Sequence, residues 1–224
     1  MNKYKDKYFS VLGDSISTFE GYSIPKNCEF YTMPKKLTAG VTKVSDTWWG
    51  GVIESLGGKF LANNSISGST VCYSPSYTYQ SYGCSNWRTS TLHEGDILPN
   101  VIIVYLGTND FGMDKELSSQ DKSDLTVFEN AYKTMLQKIK NNYKSAEIWC
   151  VSLCACEYFT TYKVNNRGKN LTDYNGVIKT LSNELNCKYI DIYNEQTPYD
   201  TMDEVHPNLS GMSLIRDSVL NKII

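Results

Sequence analysis

Several features are scarce in this chain, and each absence excludes a class of protein. No apolar run is long enough to cross a bilayer, and the polar residues 1–7 precede the first apolar segment without the apolar stretch of an export signal. The 22 basic and 24 acidic residues form no long run of either sign, which argues against a nucleic-acid or anionic-membrane partner. We therefore expect a cytoplasmic protein without a transmembrane segment, although a trimmed chain would show the same amino terminus.

The cysteines give no sign of a disulfide framework or a metal site. Seven is an odd number, and 224 residues can bury a core without covalent staples. Cys150, Cys154 and Cys156 lie in an apolar stretch, where cysteine acts as a small buried hydrophobic residue. Cys154 and Cys156 resemble half of a metal site, but no second pair and no nearby histidine completes it. We expect reduced thiols, no metal and no cofactor.

Short apolar runs alternate with amphipathic stretches along the chain. The run at 101–106 is β-branched and continuously apolar, as in a central strand that is covered on both faces. We predict strands over 8–12, 59–62, 101–106, 147–153 and 188–192, and helices over 48–56, 124–141, 172–185 and 207–224. This alternation predicts parallel strands with crossover helices in a single α/β domain over residues 1–224.

Three stretches do not fit the alternation and are predicted to crowd one edge of the sheet. They are residues 22–46, 72–90 and 157–170. The second contains several aromatic residues among serines: Tyr73, Tyr77, Tyr79, Tyr82 and Trp87. These rings could pack on the flank of the domain, or they could form a cleft wall suited to sugar rings or an acyl chain. Under the second interpretation Tyr73 and Trp87 bind substrate.

Four short polar motifs follow predicted strands. They lie at 13–15 (GDS), 64–70 (NSISGST), 107–110 (GTND) and 203–207 (DEVHP). Parallel strands present their carboxyl ends at one edge of a sheet, where open α/β proteins bind ligands. We therefore expect residues from both ends of the chain to meet there.

The residue types in these motifs suit nucleophilic catalysis. The Ser15 hydroxyl needs a base, and His206, one of only two histidines, has a side chain that titrates near neutrality. Asp203, three residues earlier, can orient the imidazole, although Glu204 competes for that role. The donors available for a developing oxyanion are the Ser15 backbone N–H, the Gly68 backbone N–H and the Asn109 amide.

Less specific interpretations exist for the same residues. Ser15 could cap a helix, Asn109 could be an ordinary turn residue, and Gly68 could merely permit a tight turn. His206 could be a capping or surface histidine, and His93, which lacks a motif, is predicted to be structural or solvated.

Taken in order, the four motifs resemble the SGNH (GDSL-type) hydrolase family of esterases, lipases and acylhydrolases. The resemblance runs from Ser15 to His206, and Ile16 stands where the common signature has leucine. It implies a flavodoxin-like three-layer α/β/α fold with a five-stranded parallel sheet. It also implies Ser15 as nucleophile, His206 as base with Asp203 as its partner, and Gly68 and Asn109 as oxyanion donors.

The resulting prediction is a serine esterase that acts through an acyl-Ser15 intermediate on a small-molecule ester. Aromatic, hydroxyl-rich loops favour short acyl groups such as acetyl on a carbohydrate. The alternatives are a thioesterase or lysophospholipase of the same fold, and a non-catalytic carbohydrate-binding module. A nucleotide-binding role is disfavoured, because Asp14 would put a carboxylate where a phosphate sits.

Overall fold

The computed structural model describes residues 2–75 and 81–224. Within that part of the chain, five parallel strands form one sheet in the order β2-β1-β3-β4-β5, which is the flavodoxin-like order. The strands are β1 (Tyr8–Gly13), β2 (Lys59–Ser65), β3 (Val101–Tyr105), β4 (Glu147–Val151) and β5 (Lys188–Ile190). The predicted doubly covered parallel sheet is confirmed, and every residue of β3 is buried.

Eight α-helices lie between and after these strands in the described part of the chain. They are α1 (Lys35–Ala39), α2 (Trp48–Ser55), α3 (Asn86–Ser90), α4 (Thr108–Gly112), α5 (Phe128–Asn142), α6 (Glu157–Thr161), α7 (Leu171–Glu184) and α8 (Leu209–Ile223). Helix α2 packs against α8, whereas α5 packs against both α3 and α7. The sheet between these two groups makes the third layer of the predicted α/β/α architecture. Three of the short helices, α1, α3 and α6, lie inside the stretches that did not fit the alternation.

Local hydrogen bonds explain where the observed elements differ from the predicted ones. Helix α5 begins at Phe128 instead of 124, because the Asp124 carboxylate accepts from the N–H and hydroxyl of Thr126 in a turn. Helix α8 begins after Asn208, whose side chain accepts from the Gly211 N–H at 3.0 Å, so Pro207 lies before the cap.

Strands β4 and β5 are also shorter than predicted. Strand β4 ends at Val151, and the N–H of Leu153 turns to the Asn175 side chain at 2.7 Å. Strand β5 ends at Ile190, and the next N–H groups, at Ile192 and Tyr193, bind the Ser152 hydroxyl instead of a neighbouring strand. Side-chain acceptors therefore end both strands early.

The core contains two tryptophans and confirms the predicted burial of three cysteines. Trp48 and Trp49 at the start of α2 are both fully buried. Cys150, Cys154 and Cys156 are buried, and all seven cysteines are free thiols. No cluster of three or more metal-ligating side chains occurs within residues 2–75 and 81–224. In the same part of the chain, no helix combines the length and apolar character needed to span a membrane.

A substitution at Gly50 tests how closely α2 approaches the turn at Val44–Thr47 that precedes it. A Cβ at this buried position would collide with the Val44 carbonyl oxygen and lie 2.8 Å from Thr47 Oγ1. We expect Gly50→Ala to lower the free energy of unfolding by about 1–3 kcal/mol, measured by urea denaturation. Gly176→Ala is the matched control, because this α7 position is exposed and no heavy atom of the described residues lies within 4 Å of the added Cβ.

The control variant should gain about 0.5–1 kcal/mol, since alanine favours helix more than glycine does. Equal stabilities of the two variants would contradict the close approach of α2 to the Val44 carbonyl.

The register of the sheet brings the polar motifs to one edge. Gly13, the last residue of β1, is level with Ser65 of β2 and Tyr105 of β3. The strand order reverses direction between β1 and β3, which is the switch point where α/β sheets open a crevice for ligands. The turns that follow these three strands therefore surround that crevice.

Candidate active site

Ser15 lies in a tight turn that begins where β1 ends. The turn is a 3₁₀ helix over Ser15–Ser17, and the Asp14 side chain caps it by accepting from the Ile16 N–H at 3.0 Å. Gly13 is required there, because a Cβ would lie 2.5 Å from Ser17 Oγ. The capping role that sequence alone allowed for Ser15 is thus filled by Asp14.

The carboxylate of Asp14 lies beneath the turn and not in the crevice. Its side chain is fully buried, and its Oδ2 has no hydrogen-bond partner among the described residues. Burial raises the pKa of Asp14 to about 7, although the Arg88 charge opposes the rise. Asp14 Oδ1 thus accepts the N–H at the start of the turn that a phosphate would otherwise bind, and its side chain is held inward.

The structure brings Ser15, His206 and Asp203 together in one hydrogen-bonded series. His206 Nε2 is 2.9 Å from Ser15 Oγ, and His206 Nδ1 is 2.8 Å from Asp203 Oδ2. Asp203 Oδ1 also accepts from the backbone N–H of His206 at 2.8 Å, which holds the carboxylate beside the ring. The competing Glu204 contributes its backbone carbonyl to the Tyr158 N–H instead. An imidazole with its proton on Nδ1 leaves Nε2 to accept the serine hydroxyl.

The electrostatics of this series suit proton transfer. Burial lowers the pKa of His206 from its usual value, whereas the Asp203 carboxylate opposes the change and the Lys35 charge adds to it. Burial acts to raise the pKa of Asp203, but hydrogen bonds and the charge of His206 hold that pKa below its usual value. The pair thus favours a neutral imidazole and an ionised carboxylate near neutral pH, the states that a general base and its partner need.

Gly68 and Asn109 lie in the turns after β2 and β3. Gly68 has φ +75°, a conformation that favours glycine, and no atom of residues 2–75 and 81–224 lies within 4 Å of a Cβ placed there. Asn109 Nδ2 donates to the Ser69 carbonyl at 2.9 Å, which ties the two turns together. An amide has two N–H groups, so this bond orients the side chain and leaves one donor for a ligand.

Asp110, the last residue of the 107–110 motif, anchors the loop after β2. Its fully buried carboxylate accepts from the Val71 and Cys72 backbone N–H groups at 2.8 and 3.0 Å. Burial raises the pKa of Asp110 to about 6, against these hydrogen bonds. Asn109 and Asp110 together therefore fix the segment that follows Gly68.

Arg88 is the main residue of this region that sequence reasoning missed. It is fully buried in α3, and its guanidinium donates to carbonyl and side-chain oxygens around the crevice. These are Gly13 O at 2.7 Å, Asn64 O and Oδ1 at 2.6 Å each, Ser69 Oγ at 2.5 Å and Ser81 O at 2.6 Å. One side chain thus joins the ends of β1 and β2 to the turn beside Gly68. Burial lowers its pKa to about 9, and the Asp14 charge opposes that change.

Phe30 is a second missed residue, and it packs on His206. The two rings are stacked, with centroids 3.4 Å apart and planes 11° from parallel. Phe30 follows no strand and belongs to no polar motif, so the sequence carried no signal that it approaches the site.

The predicted substrate-binding aromatics take different environments. Tyr73 is 40% exposed and packs edge to face on Tyr82, with ring centroids 5.2 Å apart. Trp87 is half-buried in α3, next in sequence to Arg88. Tyr77 and Tyr79 lie outside the described residues. Substrate binding by Tyr73 and Trp87 stays a prediction.

His93 belongs to none of the four motifs and is exposed. Its Nδ1 is 2.8 Å from the carbonyl oxygen of Gly95, two residues further along the chain. This local turn agrees with the expectation of a structural or solvated histidine.

Comparison with known proteins identifies relatives of this chain. A family model described as GDSL-like Lipase/Acylhydrolase matches residues 7–223. A structure solved under the description of a GDSL-like lipase from Bacteroides ovatus ATCC 8483 is 25% identical, with 97% of each chain covered and a TM-score of 0.75. A family two carbohydrate esterase from Clostridium thermocellum, solved with cellohexaose, is 17% identical with a TM-score of 0.64; the alignment covers 99% of this chain and 64% of that one.

A curated relative matches over a shorter stretch. The cellulase/esterase CelE of Acetivibrio thermocellus is 33% identical over 87 residues, which are 34% of this chain. The match spans only 10% of that much longer enzyme.

Proposed function

Because the chain belongs to the GDSL-like lipase/acylhydrolase family and is an ester-bond hydrolase, we propose that it removes short acyl groups from a carbohydrate by way of an acyl-Ser15 intermediate. The observation that carries this proposal is the series Ser15–His206–Asp203, with 2.9 Å between Ser15 Oγ and His206 Nε2. A hydroxyl, an imidazole and a carboxylate in this arrangement can generate a nucleophile near neutral pH.

In the acylation step, His206 Nε2 takes the hydroxyl proton while Ser15 Oγ attacks the ester carbonyl carbon. The negative charge moves to the carbonyl oxygen, where the N–H groups of Ser15 and Gly68 and the Asn109 amide are the proposed donors. The ester C–O bond then breaks, and His206 returns its proton to the departing alcohol oxygen. Asp203 stabilises the imidazolium that exists between these two transfers.

In the deacylation step, the same groups act on water. His206 removes a proton from a water molecule, whose oxygen attacks the acyl carbon and forms a second tetrahedral intermediate. Its collapse breaks the bond to Ser15 Oγ, which regains a proton from His206. The products are a carboxylic acid and the free enzyme.

The carbohydrate assignment draws on the relatives and on the surface. The solved relative named a carbohydrate esterase holds cellohexaose, and the curated relative is named a cellulase/esterase; both statements concern those proteins. In this chain, the exposed ring of Tyr73 offers an apolar face with a hydroxyl edge, a combination that suits a sugar ring. We propose Tyr73 and Trp87 as its contacts.

A substrate panel with intact-mass spectrometry tests this function. The panel contains p-nitrophenyl acetate, butyrate and octanoate, acetylated cello- and xylo-oligosaccharides, an acyl thioester and a lysophospholipid. We expect kcat/KM to fall as the acyl chain lengthens, the acetylated saccharides to lose acetate, and a transient acetyl adduct to map to Ser15. Faster turnover of the lysophospholipid or thioester would contradict the substrate class. Saccharide binding without turnover of any ester would favour a binding module.

A further inference from the structure

Phe30 and Lys35 lie on one side of His206 and contact each other. Phe30 is 7% exposed and stacks on the imidazole, while Lys35 Nζ lies 3.8 Å from the centroid of the Phe30 ring. Two groups that each approach this centroid within 4 Å must occupy opposite faces of the ring. The order is therefore imidazole, benzene ring, ammonium.

We propose that Phe30 is a positioning residue for His206, and that the Lys35 charge behind it opposes protonation of the imidazole. This inference rests on the proposed role of His206 as general base. Nothing in the family match or in the relatives assigns a role to either residue.

The segment that carries Phe30 is hydrogen-bonded both to the turn that holds Ser15 and to the residue after His206. The Phe30 N–H donates to Thr18 Oγ1 at 2.9 Å, and Thr18 Oγ1 donates to the Ser15 carbonyl at 2.8 Å. The next residue, Tyr31, donates its hydroxyl to the Pro207 carbonyl at 2.6 Å. The ring of Phe30 is thus held relative to the nucleophile's turn and to the residue after His206. Stacking at 3.4 Å then limits rotation of the imidazole, which keeps Nε2 directed at Ser15.

The charged and titratable groups around the imidazole come from three elements. Asp203 contacts Nδ1 from the same loop, Ser15 contacts Nε2 from the turn after β1, and Lys35 acts through Phe30 from the start of α1. Asp203 favours the charged ring, and Lys35 opposes it. Lys35 forms no ion pair within the described residues.

The position of the Phe30 ring between Lys35 and His206 strengthens the effect of the Lys35 charge on the imidazole. The face of an aromatic ring attracts a cation. A second cation on the opposite face is attracted less, because the first cation has already polarised the ring, and it is repelled by the charge of the first. Protonation of His206 would create that situation. The Lys35 charge therefore favours the neutral imidazole that accepts the Ser15 proton.

The first test measures the pKa of His206 directly by NMR of histidine-labelled protein. The chain has only two histidines, so the exposed His93 serves as a reference in the same sample. Lys35→Met keeps the aliphatic stem on Phe30 and removes the charge. We expect it to raise the pKa of His206 by about 0.5, the size of a screened interaction across the ring. The acid limb of the kcat/KM profile should move upward equally.

Lys36→Met is the matched control. Lys36 follows Lys35 in α1, but its ammonium lies over Phe19 and pairs with Glu20 at 2.9 Å. It should leave the pKa of His206 unchanged. An unchanged pKa in Lys35→Met as well would overturn the electrostatic part of the inference.

The second test separates positioning from stability. Phe30→Leu keeps an apolar side chain but removes the stacking face, and we expect kcat to fall about tenfold with little change in KM. Phe30→Tyr retains the face and should restore kcat, while urea denaturation of both variants records stability. Wild-type kcat in Phe30→Leu would overturn the positioning role.

Failure of the inference and failure of the proposed function remain distinguishable. The NMR titration of His206 needs no substrate, so it reports the Lys35 effect even if no ester is turned over. The pKa of His206 could respond to Lys35→Met while the acid limb of the rate profile stays in place. In that case the role of His206 as base would be wrong, but the effect of Lys35 on the imidazole would be confirmed.

Discussion

Ser15→Ala is expected to lower kcat for ester hydrolysis by about 10⁶-fold, the loss seen when a serine hydrolase loses its nucleophile. The reason is that no other hydroxyl lies within hydrogen-bond distance of His206 Nε2 among the described residues. Burst kinetics and steady-state rates on p-nitrophenyl acetate measure the loss, and a fluorophosphonate should no longer label the protein.

Ser17→Ala is the matched control for this variant. Ser17 lies in the same turn and is fully buried, but its Oγ has no hydrogen-bond partner within the described residues. Its replacement should leave kcat and labelling at wild-type values. Asp203→Asn should fall between the two, with a loss of about 10⁴-fold, because the imidazole loses the acceptor that holds its tautomer. Labelling of Ser15→Ala at the wild-type rate would show that the nucleophile is a different residue.

Arg88→Met is expected to cost about 3–5 kcal/mol in the free energy of unfolding, the range for removing one member of a buried charged network. The thioether fills part of the volume but donates nothing, so the carbonyl oxygens of Gly13, Asn64 and Ser81 lose a buried donor. The buried Asp14 also loses the positive charge that opposes its raised pKa. Guanidinium or urea denaturation gives the value.

Two variants bracket this result. Arg88→Lys keeps the charge but has fewer donors and no planar fork, so its loss should lie between wild type and methionine. Arg167→Met removes a surface arginine that pairs with Glu116; the two side chains are 54% and 45% exposed. This variant should lower the free energy of unfolding by less than about 1 kcal/mol. A loss for Arg88→Met no greater than that for Arg167→Met would contradict the bracing role.

Much of the fold was predictable, because periodicity and strand-end chemistry are local. The continuous apolar run at 101–106 indicated a doubly covered strand, and the observed β3 is buried throughout. Errors arose where a side chain displaced a backbone partner, as at Ser152, which ends β5 early by accepting two N–H groups. A side-chain hydrogen bond of this kind needs a partner about 40 residues away, so it leaves no local pattern in the sequence.

The candidate site also has features that the sequence predicts and features that it does not. Ser15 and His206 are 191 positions apart, yet parallel strands require that the motifs after them share one edge, so their meeting was predictable. Asp203 was predictable because it is only three residues from the ring it contacts. The complete burial of Asp14 was not predictable, since the sequence identifies the carboxylate but not the side to which packing turns it.

By itself, the sequence determined the family, the parallel α/β sheet and the residues offered at its carboxyl edge. Only the tertiary structure decided which side chains support them: Arg88 beneath the turns, Asp110 on the Val71–Cys72 amides, and Phe30 on His206. The physical reason is that strand propensity and turn chemistry act between neighbours, whereas these supports span tens of residues or more. Their contacts depend on how the segments between the strands pack against the sheet, and no periodic pattern in the chain records that packing.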